Sequence, residues 1–83
     1  AEINGKVFAT GEGSQVNFTN SGDVNITETK EHGIAVNNGG KVDVTAENVT
    51  IDSYKAAIWL DDLGDNAVTI KANENIKYII IRN

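Results

Sequence analysis

The chain has 83 residues, a formal net charge of -5 and no cysteine, which allows one small domain and excludes disulfides and thiolate metal sites. A single histidine, His32, argues against an all-protein zinc site. The seven Lys and Arg residues form no basic run, so nucleic acid and anionic membrane surfaces would meet net repulsion, and no apolar stretch approaches the ~20 residues of a membrane-spanning helix.

In chain order, short strands are expected over residues 7–9, 16–19, 24–27, 34–36, 42–45, 49–52, 58–60 and 68–71, with a weaker match around Ile76 and another at 79–81. Each alternates β-branched or aromatic residues with polar ones, the two-residue period of a half-buried strand. No window carries the three-and-four apolar spacing of a helix, so no helix longer than a turn is expected. Proline is absent and glycine is frequent.

The strands repeat. Val16, Val42 and Val68 form one evenly spaced series, and Ile26, Ile51 and Ile76 form a second. Phe8, Ile34 and Ile58 form a third series of closely similar spacing. Gly13, Gly39 and Gly64 precede the first strand of each repeat. Three strands in roughly 25 residues make the chain wind around an axis, with successive turns ~4.8 Å apart and equivalent residues stacked. The expected fold is all-β: a right-handed parallel β-helix of about three coils, one unit over residues 1–83. The ladders Val16/Val42/Val68, Phe18/Val44/Ile70 and Ile26/Ile51/Ile76 would point inward. Asn17/Asp43/Thr69 and Asn25/Thr50 would point outward, where short polar residues tolerate close stacking.

Three segments carry a resemblance: HGIAVNNGGKVDVT at 32–45, ENVTIDS at 47–53, and the looser copy GKVFATGEGSQVNFT at 5–19. Their rhythm resembles the passenger domains of bacterial autotransporter adhesins, which share the right-handed β-helix of pectin-lyase-like proteins. The resemblance implies a secreted or cell-surface bacterial protein, usually a stalk or adhesin, and carries over no catalytic motif.

Candidate chemistry is sparse. Asp61, Asp62 and Asp65 form the densest carboxylate cluster; they suit calcium, although they lack EF-hand spacing, and a solvated corner is the favoured reading. Glu28, Glu31 and His32 share a corner, but no nucleophile lies at a recognisable spacing, so no enzyme is expected and no cofactor beyond that possible calcium. Three Asn-x-Thr sequons, at Asn17, Asn25 and Asn48, read as by-products of strands that alternate Asn or Thr with apolar residues. Trp59 alternates outward if Ile58 and Leu60 point inward; it is then a contact residue for sugar or protein, or it lies beneath a loop. Three consecutive isoleucines, Ile79, Ile80 and Ile81, place apolar side chains on both faces and suggest a junction with neighbouring coils or with identical chains stacked end to end. A structural or adhesive segment that reaches a host surface or glycan is expected; a carbohydrate-binding or polysaccharide-degrading β-helix is the alternative.

Overall fold

A computed structural model describes the backbone of residues 1–80 and the side chains of residues 1–79. It contains eight strands: β1 (Glu2–Asn4), β2 (Val7–Thr10), β3 (Gln15–Thr19), β4 (Asp23–Glu28), β5 (Ile34–Asn37), β6 (Lys41–Ser53), β7 (Ile58–Leu60) and β8 (Ala67–Ile80). Every pairing is parallel, and no helix occurs among the described residues. Partners sit about 26 residues apart, so the chain is an all-β solenoid of about three turns.

Three strand series run along the axis. One stacks β1, β4, the second half of β6 and the end of β8. The second stacks β2, β5 and β7. The third stacks β3, the first half of β6 and the start of β8. Strands expected separately at 42–45 and 49–52 are one continuous β6, because the corner between them holds extended geometry through Ala46 and Glu47. The sequence expectation had no counterpart of β1.

Alternation decides what the core contains. Val42, Val44, Val49 and Ile51 of β6, with Ile34 and Val36 of β5, are all buried in the middle coil. Those of the β3–β6–β8 series meet apolar partners above and below: Val16 and Val68 flank Val42, and Phe18 and Ile70 flank Val44. These two ladders stand as expected. The third inward ladder differs, since Ile51 lies opposite Tyr78, while Ile76 lies opposite Val49. The cause is corner length. Residues 20–22 separate Thr19 from Asp23, only Ala46 and Glu47 separate Thr45 from Asn48, and residues 72–74 separate Lys71 from Asn75. The register of β6 and β8 shifts at this point, as at a bulge. Of the strand expected at 79–81, Ile79 and Ile80 instead continue β8 opposite Asp52 and Ser53, and Ile81 lies outside the described residues.

A second correction has more consequence. Phe8 lies opposite Ala35, and Val7 takes the place beside Ile34 that the spacing assigned to Phe8. A one-residue slip in a strand exchanges its faces. Val7 is therefore buried and Phe8 is 45% exposed on the outer face.

Tight corners hold the coils together. Asn38 and Gly39 both adopt left-handed backbone, with φ of 53° and 91°, a pair suited to reversing the chain between β5 and β6. The Gly39 N–H donates to Asn66 Oδ1 at 2.8 Å, tying this corner to the next coil. Gly40 serves close approach instead: a Cβ built there would lie 2.6 Å from the Ala9 carbonyl oxygen. Asparagines also stack along the outside, with Asn48 Nδ2 donating to Asp23 Oδ1 at 2.8 Å and Asn75 Nδ2 to Asn48 Oδ1 at 3.3 Å.

Candidate functional site

The outer face of the β2–β5–β7 sheet differs from the other outer faces. Other outward ladders are short and polar, as in Asn17/Asp43/Thr69, end in a flexible charge, as in Asn25/Thr50/Lys77, or carry an apolar residue only at the last rung, as in Thr27/Asp52/Ile79. Here the ladder is Phe8/Ala35/Trp59, in register across three adjacent strands. Trp59 is 37% exposed, so it stands outward and is not covered by a loop. Ala35 is buried between its neighbours although it lies outside the core cluster. A groove of about 310 Å3 opens over this ladder.

Polar residues from the corner before β5 frame the groove. His32 stacks on Trp59, with ring centroids 5.5 Å apart and planes inclined by 8°. Its Nδ1 accepts a hydrogen bond from the Ala56 N–H at 3.0 Å, which leaves Nε2–H as the donor of the neutral ring. Lys55 Nζ meets Glu31 Oε2 at 3.0 Å, and this bond and charge hold the Glu31 carboxyl below the usual carboxylate range. Lys6 Nζ lies 4.9 Å from the centroid of the Phe8 ring, a cation–π contact. Asn37 completes the rim.

The corner that sequence reading associated with acid–base chemistry is therefore brought together differently. Glu31 engages Lys55 in the next coil, and His32 engages Trp59 and the Ala56 amide. Glu28 Oε1 accepts from the Lys30 N–H at 2.9 Å and closes its own turn. The sequence marks Trp59 and His32 without placing them together, and its spacing sets Phe8 in one series with Ile34 and Ile58, whereas in the structure Phe8 lines up with Ala35 and Trp59. The signal that would have turned Phe8 outward is the pairing of Val7, rather than Phe8, with Ile34, which makes the step from β2 to β5 one residue longer than the like-for-like apolar spacing suggests.

Asp61, Asp62 and Asp65 lie in the corner between β7 and β8. The Asp61 carboxylate caps its own turn, accepting from the Leu63 N–H at 3.0 Å and from Asn66 Nδ2 at 2.7 Å. The Asp65 carbonyl accepts from Lys41 Nζ at 2.9 Å. The three carboxylates do not converge, and no group of three or more acidic, His or Cys side chains is arranged around a metal position among the described residues.

Of the isoleucine run, Ile79 is half-buried on β8, while the side chain of Ile80 and all of Ile81 lie outside the described residues. Exposed apolar residues at this end of the described solenoid include Leu60, Leu63, Ile76 and Tyr78. A second, shallower groove of about 290 Å3 lies there, lined by Ala56, Ala57, Ile58 and Tyr78.

No protein-family model matches the chain, and comparisons with curated proteins and with solved structures found no match. The class established is that of the fold: a repeat protein, a β-solenoid of about three turns.

Proposed function

We propose that the chain is a structural and adhesive β-solenoid segment of a bacterial secreted or surface protein, a stalk, adhesin or filament subunit without catalysis, whose ends stack on further coils of the same kind. The autotransporter-like rhythm of residues 5–19, 32–45 and 47–53 supports the family and the location. The state of the inward ladders supports the stacking. Ile51 in the middle coil has no exposed surface, whereas Tyr78, the next rung of the same ladder, is 49% exposed. Likewise Val49 is fully covered and its neighbour Ile76 is 43% exposed. Another coil on β8 would do for Ile76 and Tyr78 what β8 does for Val49 and Ile51. It would also pair the strand edges of β7 and β8 that have no partner among the described residues. Covering a few hundred Å2 of apolar surface is worth on the order of several kcal/mol at ~25 cal/mol per Å2. That is comparable to the whole stability of a small domain.

The test is the mass of the 83-residue chain by sedimentation velocity over a range of concentrations. The expected result is association that grows with concentration and is abolished when Ile76→Lys and Tyr78→Lys are combined. A monomer at every concentration, with the double variant unchanged in mass, would overturn the stacking.

A further inference from the structure

We propose that the groove over Phe8, Ala35 and Trp59 is a binding site for a sugar ring of a glycan. This deepens the adhesive part of the function above and rests on it only in that the face is displayed to solvent; the stacking of the ends does not enter.

Spacing is the first argument. Phe8, Ala35 and Trp59 occupy one register line on three neighbouring strands. Adjacent strands lie ~4.8 Å apart, so the two aromatic positions are separated by ~9.6 Å. Ala35 contributes only a methyl group between them, while His32 stacks on one face of Trp59 and Lys6 lies over one face of Phe8. A puckered six-membered ring resting over Ala35 would meet the exposed parts of both aromatic rings at carbon contacts of about 4 Å. A volume of about 310 Å3 suits one or two such rings.

Chemistry is the second. Aromatic faces carry the negative part of a quadrupole and attract polarised C–H groups, of which a pyranose presents a row on each face. Its edge carries hydroxyls, which donate and accept, so a sugar site needs both kinds of partner. The rim supplies them: the Asn37 amide does both, His32 and Lys6 donate, and ionised Glu31 accepts. An apolar peptide side chain would use the aromatic walls and leave this rim idle.

The third argument is cost. Tyr54 and Tyr78 are exposed as well, but only Phe8 and Trp59 share one outward ladder, and no other outward ladder described above contains an aromatic residue. Neither completes the core, because Val7, Ile34 and Ile58 already fill that strand series from the inside.

Trp59 is the only tryptophan, so its fluorescence reports on the groove alone. The 83-residue chain is titrated with lactose, cellobiose and N,N′-diacetylchitobiose, while amide shifts are followed by NMR. The expected result is a saturable Trp59 response to at least one of them, with shifts centred on Ala35 and Asn37. Phe8→Ala and Ala35→Leu should each weaken it at least about ten-fold. The first removes a wall and the second fills the gap, and unchanged circular dichroism verifies that both variants fold. No saturable response to any of the three sugars, or a response that both variants retain, overturns the proposal. So does a response to N-acetyltyrosine amide with none to the sugars, which would assign the groove to a peptide side chain. Sedimentation of the same samples reports the end stacking separately, so the two readings fail independently.

Discussion

Replacing Gly40 by alanine tests whether the first coil rests on the corner between β5 and β6. The glycine does not have positive φ, so the backbone itself tolerates alanine, and the effect comes from contact alone. A Cβ there would meet the Ala9 carbonyl oxygen at 2.6 Å, its carbon at 2.7 Å and its Cβ at 3.1 Å. The first two are backbone atoms held by pairing of Ala9 with Val36, so relief requires β2 to move away from β5. Overpacking of this kind costs about 1–3 kcal/mol. In a domain of this size each kcal/mol lowers the melting midpoint by about 4–8 °C. The internal control is Gly22→Ala, whose Cβ would meet only Asn20 Oδ1 at an ordinary 3.5 Å. That substitution narrows the unfolded ensemble and should be neutral or stabilising by up to about 1 kcal/mol. Thermal unfolding followed by circular dichroism, with all three proteins at one concentration, measures the pair. Gly40→Ala melting at or above the wild-type temperature would refute the reasoning, since it would mean that β2 does not pack against this corner.

Two further outcomes follow from the same structure. Ile51→Ala should lose about 2–5 kcal/mol in urea unfolding, as a fully buried branched side chain between two coils, whereas Thr50→Ala on the outer face of the same strand should stay within about 0.5 kcal/mol. Lys55 lowers the Glu31 pKa in the folded state, so the pair's stabilisation is fully present above the unfolded-state value and fades as pH falls through the lowered one; an NMR titration should place the Glu31 midpoint below that of an ordinary glutamate, Lys55→Ala should raise it, and the stability difference between the two proteins should vanish in acid.

Legibility in the sequence follows from how far each inference reaches along the chain. Within a strand, alternation is a local property: Val42 and Val44 must share a face, and both are buried. The ladder Val16/Val42/Val68 was readable because the path from Val16 to Val42 is as long as the path from Val42 to Val68, so equal spacing in the sequence is equal register in the sheet. β1 was not readable, since Glu-Ile-Asn offers one apolar residue and is defined by its pairing with Asn25, Ile26 and Thr27. The groove was only half readable. Trp59 sits in a strand whose bounds, Ile58–Leu60, stand in the sequence as they do in the structure, so its outward direction followed from parity. Phe8 came from a comparison across a corner, where a single residue of length reverses the answer.

That sensitivity is a property of the solenoid rather than of the reading. Corners here vary in length between coils, and the strands on either side absorb the change as a shift of register or a bulge. A shift of two residues leaves the faces intact: Ile76 and Tyr78 both remain on the inward side of β8, and exchanging their partners alters little. A shift of one exchanges core for surface. Between β2 and β5 the offset is set by Val7 opposite Ile34, one residue longer than the step from Phe8 to Ile34. That single extra residue puts Val7 into the core and stands Phe8 on the same line as Ala35 and Trp59. Without it, Phe8 would have enlarged the core and Trp59 would stand alone on the outer face. The length of the corner before β5 therefore sets both the packing of the first coil and the existence of a two-walled groove. Deleting one residue from that corner should abolish the groove's sugar response and expose Val7 together, as read by Trp59 fluorescence and by amide hydrogen exchange at β2; a variant that keeps the sugar response with Val7 still protected would show that the corner does not set the register.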